Sequence, residues 1–308
     1  MQRSVVQAGV SVTQPELRFR LRLHRKWWGL IFVLPVVGFF AVFNVFPVLF
    51  GFYLSFTDYD LLNPPEWVGL DNFRNLLSDD LFIAALKNTL IFVAGTTVPV
   101  WILSLLAALL FDQAFRGRNI LKAIFFLPVL PPVVVVAVIW RMLLHPNGIM
   151  TSLVGWFQGI TEVRWLADTF LAPLCMIVVQ DWAVIPFFMM IWLAGLAGIP
   201  PELRDAAHID GATPVKTFWH IELPQLRATA VLVAAISTIN AFQTFTLQYV
   251  LSPDPGGPAN STLVLGLLVF KYGFDYFRMG DAAAISVVMF AIILSVTVLQ
   301  LWFNRRAS

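Results

Sequence analysis

The chain has 308 residues, of which 59% are apolar and only 12% charged, and its mean hydropathy is +0.80. An ordinary soluble domain carries about a quarter charged residues, and a chain with 28 Phe and 11 Trp has too much apolar surface to stay solvated and unfolded. Soluble enzymes and disordered proteins are excluded, and a net charge of +2 gives no argument for a nucleic-acid partner.

Taking about 20 apolar residues as the length that crosses the hydrocarbon core, six runs qualify, so the fold is read as all-α and polytopic. They are Gly29 to about Phe56, Asn88 to Phe111, Ala123 to Trp140, Thr169 to Ile199, Ala228 to about Ser252 and Ala282 to Asn304. Internal prolines (Pro35, Pro47, Pro99, Pro128, Pro131, Pro132, Pro186) predict kinks rather than ends, because neighbouring helices re-satisfy the carbonyls that proline frees. A period-two barrel pattern is absent from these runs. Residues 1–28 read as a basic cytoplasmic tail and 29–308 as the transmembrane domain; the first run is too long for a signal-peptide core and lacks a small-x-small site, which predicts an uncleaved helix.

With the N-terminus inside, 14 of the 20 Lys and Arg fall in the tail, the loops 112–122 and 200–227 and the C-terminal end. The positive-inside rule therefore predicts both termini in the cytoplasm. The outer segments 57–87, 141–168 and 253–281 hold Trp67, Trp156, Phe157, Trp165, Tyr272, Tyr276 and Phe277. These read first as interfacial anchors and secondly as a docking surface for an outside partner.

Several chemistries are missing. No G-x-x-x-x-G-K-[ST] loop is present to cradle ATP, no G-x-S-x-G elbow, and the four histidines form no metal-ligand spacing. Cys175, the single cysteine, lies in an apolar run. No cofactor or metal is assigned to this chain.

The loop between the fourth and fifth runs, residues 198–228, carries most of the local signals. Pro200 and Pro201 suit a helix start, Glu202 suits its positive end and Gly211 its stop, and a second short helix follows from Pro214 to Glu222 before Pro224. Such a charged hairpin is either a solvated interfacial loop or a peg that inserts into a groove on a cytoplasmic protein.

The stretch RDAAHIDGATPVKTFWHIELP resembles the EAA motif of bacterial binding-protein-dependent ABC transporter permeases. Asp205, Ala206 and Ala207 stand at the E-A-A, with Asp for the family Glu; Gly211 follows at the motif glycine, Asp210 beside it, and Ile221, Leu223 and Pro224 close the motif. LSFTDY at 54–59, VGLDNF at 68–73, KNTLIF at 87–92, HPNGIM at 145–150 and FQTFTLQYVLSPDPGGP at 242–258 extend the resemblance toward the carbohydrate-uptake branch, the type of the larger maltose permease. The resemblance implies an inner-membrane importer subunit that couples to ATPases through this loop and carries a sugar or sugar-like solute by alternating access. It also implies a second, similar permease as heterodimer partner, two copies of an ATPase subunit holding ATP and Mg, and an external solute-binding protein.

The substrate path is read from two spans. Ser237, Asn240, Ala241, Thr244 and Gln248 recur at i, i+3, i+4, i+7 and i+11, which is one helical stripe. Polar groups in lipid are costly, so the stripe should face the bundle or a wet cavity; for Ser237 and Thr244 alone, helix-packing glue is the better reading. Asp181 is the one acid well inside a span, beside the notch that Pro186 opens at Trp182. The resemblance puts DWAVIPF, residues 181–187, near the path, with Ala183, Val184 and Phe187 as lining; for Asp181 an ion pair to the partner permease is an equal alternative. An ion-driven transporter or channel is the rival function, and it would need a relay of ionisable groups of which Asp181 is the single candidate.

Overall fold

The computed structural model describes residues 25–158 and 162–306, with side chains described over 32–157 and 162–303. The basic residues Arg3, Arg18, Arg20 and Arg22 of the proposed tail lie outside the described residues. The chain divides into two units between Phe50 and Gly51.

In the first unit, α1 (Arg25–Phe40) passes through a π turn at Ala41–Val45 into α2 (Phe46–Leu54). Pro35 lies inside α1, and Phe39 meets Phe43 at 4.6 Å between ring centroids, the i, i+4 spacing of one helix face. Residues Phe32–Leu54 are long and apolar enough to span.

The second unit takes in the end of α2 from Gly51 and then a two-residue hairpin, β1 (Thr57–Asp58) paired antiparallel with β2 (Glu66–Trp67). α3 (Asp71–Leu77) follows, and its Asn72 donates to the carbonyls of Ser55 and Thr57, at 3.0 and 2.9 Å. α4 (Asp80–Asp112) is 33 residues long and starts a full two turns before the Asn88 expected from hydropathy, because Asp79 caps it by accepting from the amide of Leu81. The stretch expected as a third span, Ala123 to Trp140, is sharply bent at its prolines: α5 (Arg118–Phe126) and its 3-10 extension to Val129 meet α6 (Val133–Leu143) at 91°. Pro131 and Pro132 carry no N–H to continue the ladder, and Pro132, the residue that caps α6, stands extended at ψ 145°.

α7 (Ile149–Gln158) leads to α8 (Leu171–Ala197), a 27-residue span whose first amides, Phe170 and Leu171, donate to Asp168 at 2.8 Å. Those two donors hold the Asp168 carboxyl below its ordinary range. α9 (Pro201–Ile209), α10 (Pro214–Thr217) and α11 (Leu223–Gln225) form the polar loop, and α12 (Arg227–Phe242) rises from it after a 70° bend. The fifth span does not continue to Ser252 as one helix: Gln243–Phe245 is non-helical and α13 (Thr246–Leu251) restarts beyond it. α14 (Leu265–Phe270), a π turn at Lys271–Asp275 and α15 (Met279–Arg306) complete the chain. Among the described residues, four helices are long and apolar enough to cross a membrane, six if each bent pair counts as one span.

α4 and α8 pack along one another and α12 lies against both, as well as against α15. Part of the segment 253–281, expected on the outside, packs as a plug: Leu263, Val264, Leu265, Leu267 and Leu268 join Phe82, Ala85, Ala284 and Ile285 in one buried cluster. α4 holds this plug in register. Asn88 donates to the carbonyls of Asn260 and Leu263, at 2.7 and 3.0 Å, and the Thr89 hydroxyl accepts from the Leu265 amide at 2.9 Å. Tyr272, expected as an interfacial anchor, is buried, and its hydroxyl hydrogen-bonds to Asp79; burial and that acid together raise its phenol pKa. Tyr276 and Phe277 remain exposed.

At the start of α15, the Met279 amide donates to the Tyr59 carbonyl at 2.8 Å, and a Cβ on Gly280 would run into the Thr57 carbonyl. Gly280→Ala is therefore expected to cost about 1–3 kcal/mol, since backbone cannot give way as a flexible side chain does. Gly38→Ala, with no atom near the added methyl, is the control. Thermal unfolding of the two variants in detergent checks the difference.

Candidate functional site

The polar loop is a short helical hairpin with a defined stop. Pro201 begins α9 and Glu202 stands in its first turn. The helix closes with Gly211 donating to His208 at 3.1 Å and Ala212 to Ala207 at 2.9 Å, with Gly211 at φ +73°. That left-handed residue turns the chain back, a conformation that costs a Cβ-bearing residue about 1–2 kcal/mol. Thr213 then caps α10, and a π turn at Phe218–Glu222 leads into α11.

Of the residues matched to the motif, Asp205, Ala206, Asp210, Gly211 and Pro224 are exposed, Ala207 is buried, and Ile221 and Leu223 are half-buried. Apolar side chains also stand free on this charged hairpin: Ile209 is 87% exposed, and Val215 and Trp219 are exposed as well. Phe218, Trp219 and Leu223 line one side of an apolar groove of about 660 Å³, with Trp101, Leu105 and Trp192 opposite.

Sequence reasoning missed the residue that braces this hairpin. The Arg204 guanidinium donates to Asp112, the last residue of α4, at 3.0 Å and pairs with Glu222 at 2.8 Å. One planar cation thus ties α9 to a long span and to the second half of the loop. The 92 residues between Arg204 and Asp112 left no local signal for the pairing.

A second feature lies within the bundle. A cavity of about 330 Å³ is walled by Pro128, Val129 and Pro131 of the elbow, by Gln180, Ala183, Val184 and Phe187 of α8, and by Asn240 of α12. A cleft of about 10 Å³, enough for about one water, adjoins it through Gln180, Val184, Phe188 and Asn240 and reaches Ser237 and Ala241. Ala183, Val184, Phe187 and Asn240 therefore share one cavity, and Ser237 and Ala241 stand next to it. Gln180 was not anticipated, although it sits three, four and seven residues before Ala183, Val184 and Phe187, which is the spacing of one helix face.

The remaining members of the expected stripe are elsewhere. Because the helix breaks after Phe242, Thr244 and Gln248 do not continue the face of Asn240. Thr244 donates to the Gln248 Oε1 at 2.8 Å, and Gln248 lines a different cavity. The break is fixed by close packing, since Gly266 of α14 lies against the Thr244 carbonyl. Ser237 is used between helices: it accepts from the Trp101 indole at 2.7 Å and donates to the Ala234 carbonyl. Asp181 is 8% exposed and lines neither cavity, and one of its oxygens is buried without a hydrogen-bond partner. Among the described residues, no three His, Cys, Asp or Glu side chains gather as a metal ion would require.

A helical membrane bundle with a braced polar hairpin at one end and a cavity at a proline elbow defines a multi-pass membrane protein of transport type. The chain belongs to the family described as binding-protein-dependent transport system inner membrane component, whose model matches residues 100–308. A probable ABC transporter permease of Bacillus subtilis, YesP, is 35% identical over 275 residues, 88% of each chain. The trehalose/maltose transport system permease protein MalF of Thermococcus litoralis is 30% identical over 293 residues, 94% of this chain and 97% of that one. In fold, the chain matches a bacterial alginate ABC transporter solved with its alginate pentasaccharide-bound periplasmic protein, at a TM-score of 0.81 and 23% identity over 92% of this chain and 96% of that one.

Replacing Arg204 by Leu is expected to free α10 and the π turn. Backbone amides of residues 214–222 should exchange roughly fivefold faster, the effect of losing about 1 kcal/mol from a half-exposed ion pair. Hydrogen exchange read by mass spectrometry checks this, with amides in the middle of α8 as the unchanged reference.

Proposed function

We propose that this chain is the permease subunit of an importer that moves a sugar or sugar-like solute inward across a bacterial inner membrane, both termini facing the cytoplasm. The observation that carries the reading is the hairpin around Asp205 and Gly211, which exposes Ile209 and Val215 while Arg204 fastens it to the end of α4. Exposed apolar side chains on a short rigid helix suit insertion into a groove on a second protein. In this reading Asp205, Ala206, Ala207, Asp210, Gly211, Ile221, Leu223 and Pro224 form the coupling element. The groove belongs to an ATPase present in two copies, and ATP and Mg reside there. A push on α9 passes through Arg204 to Asp112 and so to α4, while Leu223 and Pro224 pass it to α12.

The path for solute runs by the cavity at Gln180, Ala183, Val184, Phe187 and Asn240, with Ser237 and Ala241 behind it. Two amides can exchange hydrogen bonds with hydroxyls, and Phe187 offers a flat apolar face, the mixture a sugar ring requires. The cavity lies against the elbow of α5 and α6, so a change in the elbow angle opens or closes it, which is how alternating access would operate. A second, similar permease completes the pore, and an external solute-binding protein delivers the solute, as the periplasmic protein bound to the alginate transporter suggests by analogy. The sugar assignment draws on the relatives, among them one named for trehalose and maltose. An ion-driven mechanism has less support, since Asp181 has no second ionisable group within its span.

Two outcomes follow for the reconstituted complex in proteoliposomes. Gly211→Val forces a β-branched residue into the left-handed region, so ATP-driven uptake should fall at least about tenfold while solute affinity of the external protein is unchanged; unimpaired uptake would remove the coupling role. Gln180→Leu or Asn240→Leu should reduce uptake about tenfold by deleting one hydrogen-bonding amide. Assembly with the second permease, read by co-purification, should survive both; loss of assembly alone would make these residues packing.

A further inference from the structure

A third cavity, of about 350 Å³, opens toward the end of α4 away from the Arg204 and Asp112 pair, between the stretch Lys87–Phe92 of α4 and the first turns of α8. Lys87 lies 25 residues before Asp112, which is about 38 Å of helix, against a hydrocarbon core of about 30 Å. When the polar hairpin stands at one membrane surface, Lys87 therefore stands at the headgroup level of the other.

The floor of this cavity is polar and unsatisfied. Gln248 is 1% exposed, and while its oxygen accepts from Thr244, its amide nitrogen has no partner. Thr262, 3% exposed, and Ser261 each present a buried hydroxyl without a partner. Lys87 adds an exposed ammonium at the rim, and no carboxylate lines the space. Asp168, just before α8, spends its carboxylate on the Phe170 and Leu171 amides. An amide N–H, two hydroxyls and a cation around one space call for an acceptor-rich, negatively charged group.

The mouth is apolar. Ile91, one turn along α4 from Lys87, and Phe170 and Leu174 at the start of α8 line the cavity and are exposed. A ligand seated here has its charged end against Lys87, Gln248, Ser261 and Thr262 and a greasy continuation along Ile91 and Leu174. The positions of these groups are fixed, because Asn88 and Thr89 hold the segment 260–265 to α4.

We propose that this cavity binds the phosphate-bearing headgroup of an anionic phospholipid from the leaflet opposite the polar hairpin, with an acyl chain running down the surface of α4 and α8. The inference does not rest on the transport reading, and the site is separate from the cavity at Gln180 and Asn240. The full chain, purified in detergent and stripped of lipid, would be titrated with phosphatidylglycerol, phosphatidylcholine or inorganic phosphate and read by native mass spectrometry. Phosphatidylglycerol should bind at one site about fivefold more tightly than phosphatidylcholine, and Lys87→Gln should remove that preference. Thr262→Val should weaken both lipids; should that buried variant fail to fold, the exposed Lys87→Gln still decides. Equal binding of the two lipids, or an unchanged preference in Lys87→Gln, would overturn the proposal. Displacement of lipid by inorganic phosphate at equal concentration would assign the site to a soluble anion and overturn it as well.

Discussion

A backbone N–H or C=O in hydrocarbon has no water to turn to, so every departure from helix within the bundle must find its hydrogen bonds inside the protein. That constraint decides where this chain can bend. The plug within 253–281 enters the bundle as irregular chain and is accepted because Asn88 and Thr89, adjacent on α4, supply two donors and an acceptor to residues 260, 263 and 265. The elbow before α6 uses prolines, which bring no donor to satisfy, and Pro128 and Pro131 line a cavity there. The break after Phe242 is short, and the Gln243 amide still reaches the Ile239 carbonyl.

These bends give the bundle its working parts. Unbroken α4 and α8 pack along one another, and the bent elements, the elbow and the foot of α12, lie beside them. Rigid struts beside hinged ones are what a transporter needs, since motion at one end must arrive at the other without being absorbed. Arg204 joins the hairpin to a strut, and the chain itself joins the hairpin to a hinge.

Much of this was legible in the sequence. Apolar run length located the spans, and the helix start at Pro201 and the stop at Gly211 were read correctly because proline and glycine act through local geometry alone. Ala183, Val184, Phe187 and Asn240 do meet in one cavity. The failures share a cause in tertiary contact. Hydropathy cannot distinguish a straight span from one broken by a neighbour, so the stripe from Ser237 to Gln248 was drawn on a helix that Gly266 and Thr244 interrupt. That part of 253–281 is packed rather than solvated depends likewise on residues far away in the sequence, Asn88 and Asp79. Arg204 was invisible for the same reason, its partner lying in another span.

The π turn at Phe218–Glu222 also sets the phase of the hairpin. Such a turn houses one residue more than an α turn, and each residue of an α-helix advances the azimuth by about 100°. The extra residue thus sets the rotational register between the Arg204 anchor and α12, so chain length here is a geometric variable in its own right. Loss of a single residue within 218–222 would return the turn to ordinary helix and swing the exposed face of the hairpin by more than a quarter revolution, leaving every one of its side chains present and pointing another way.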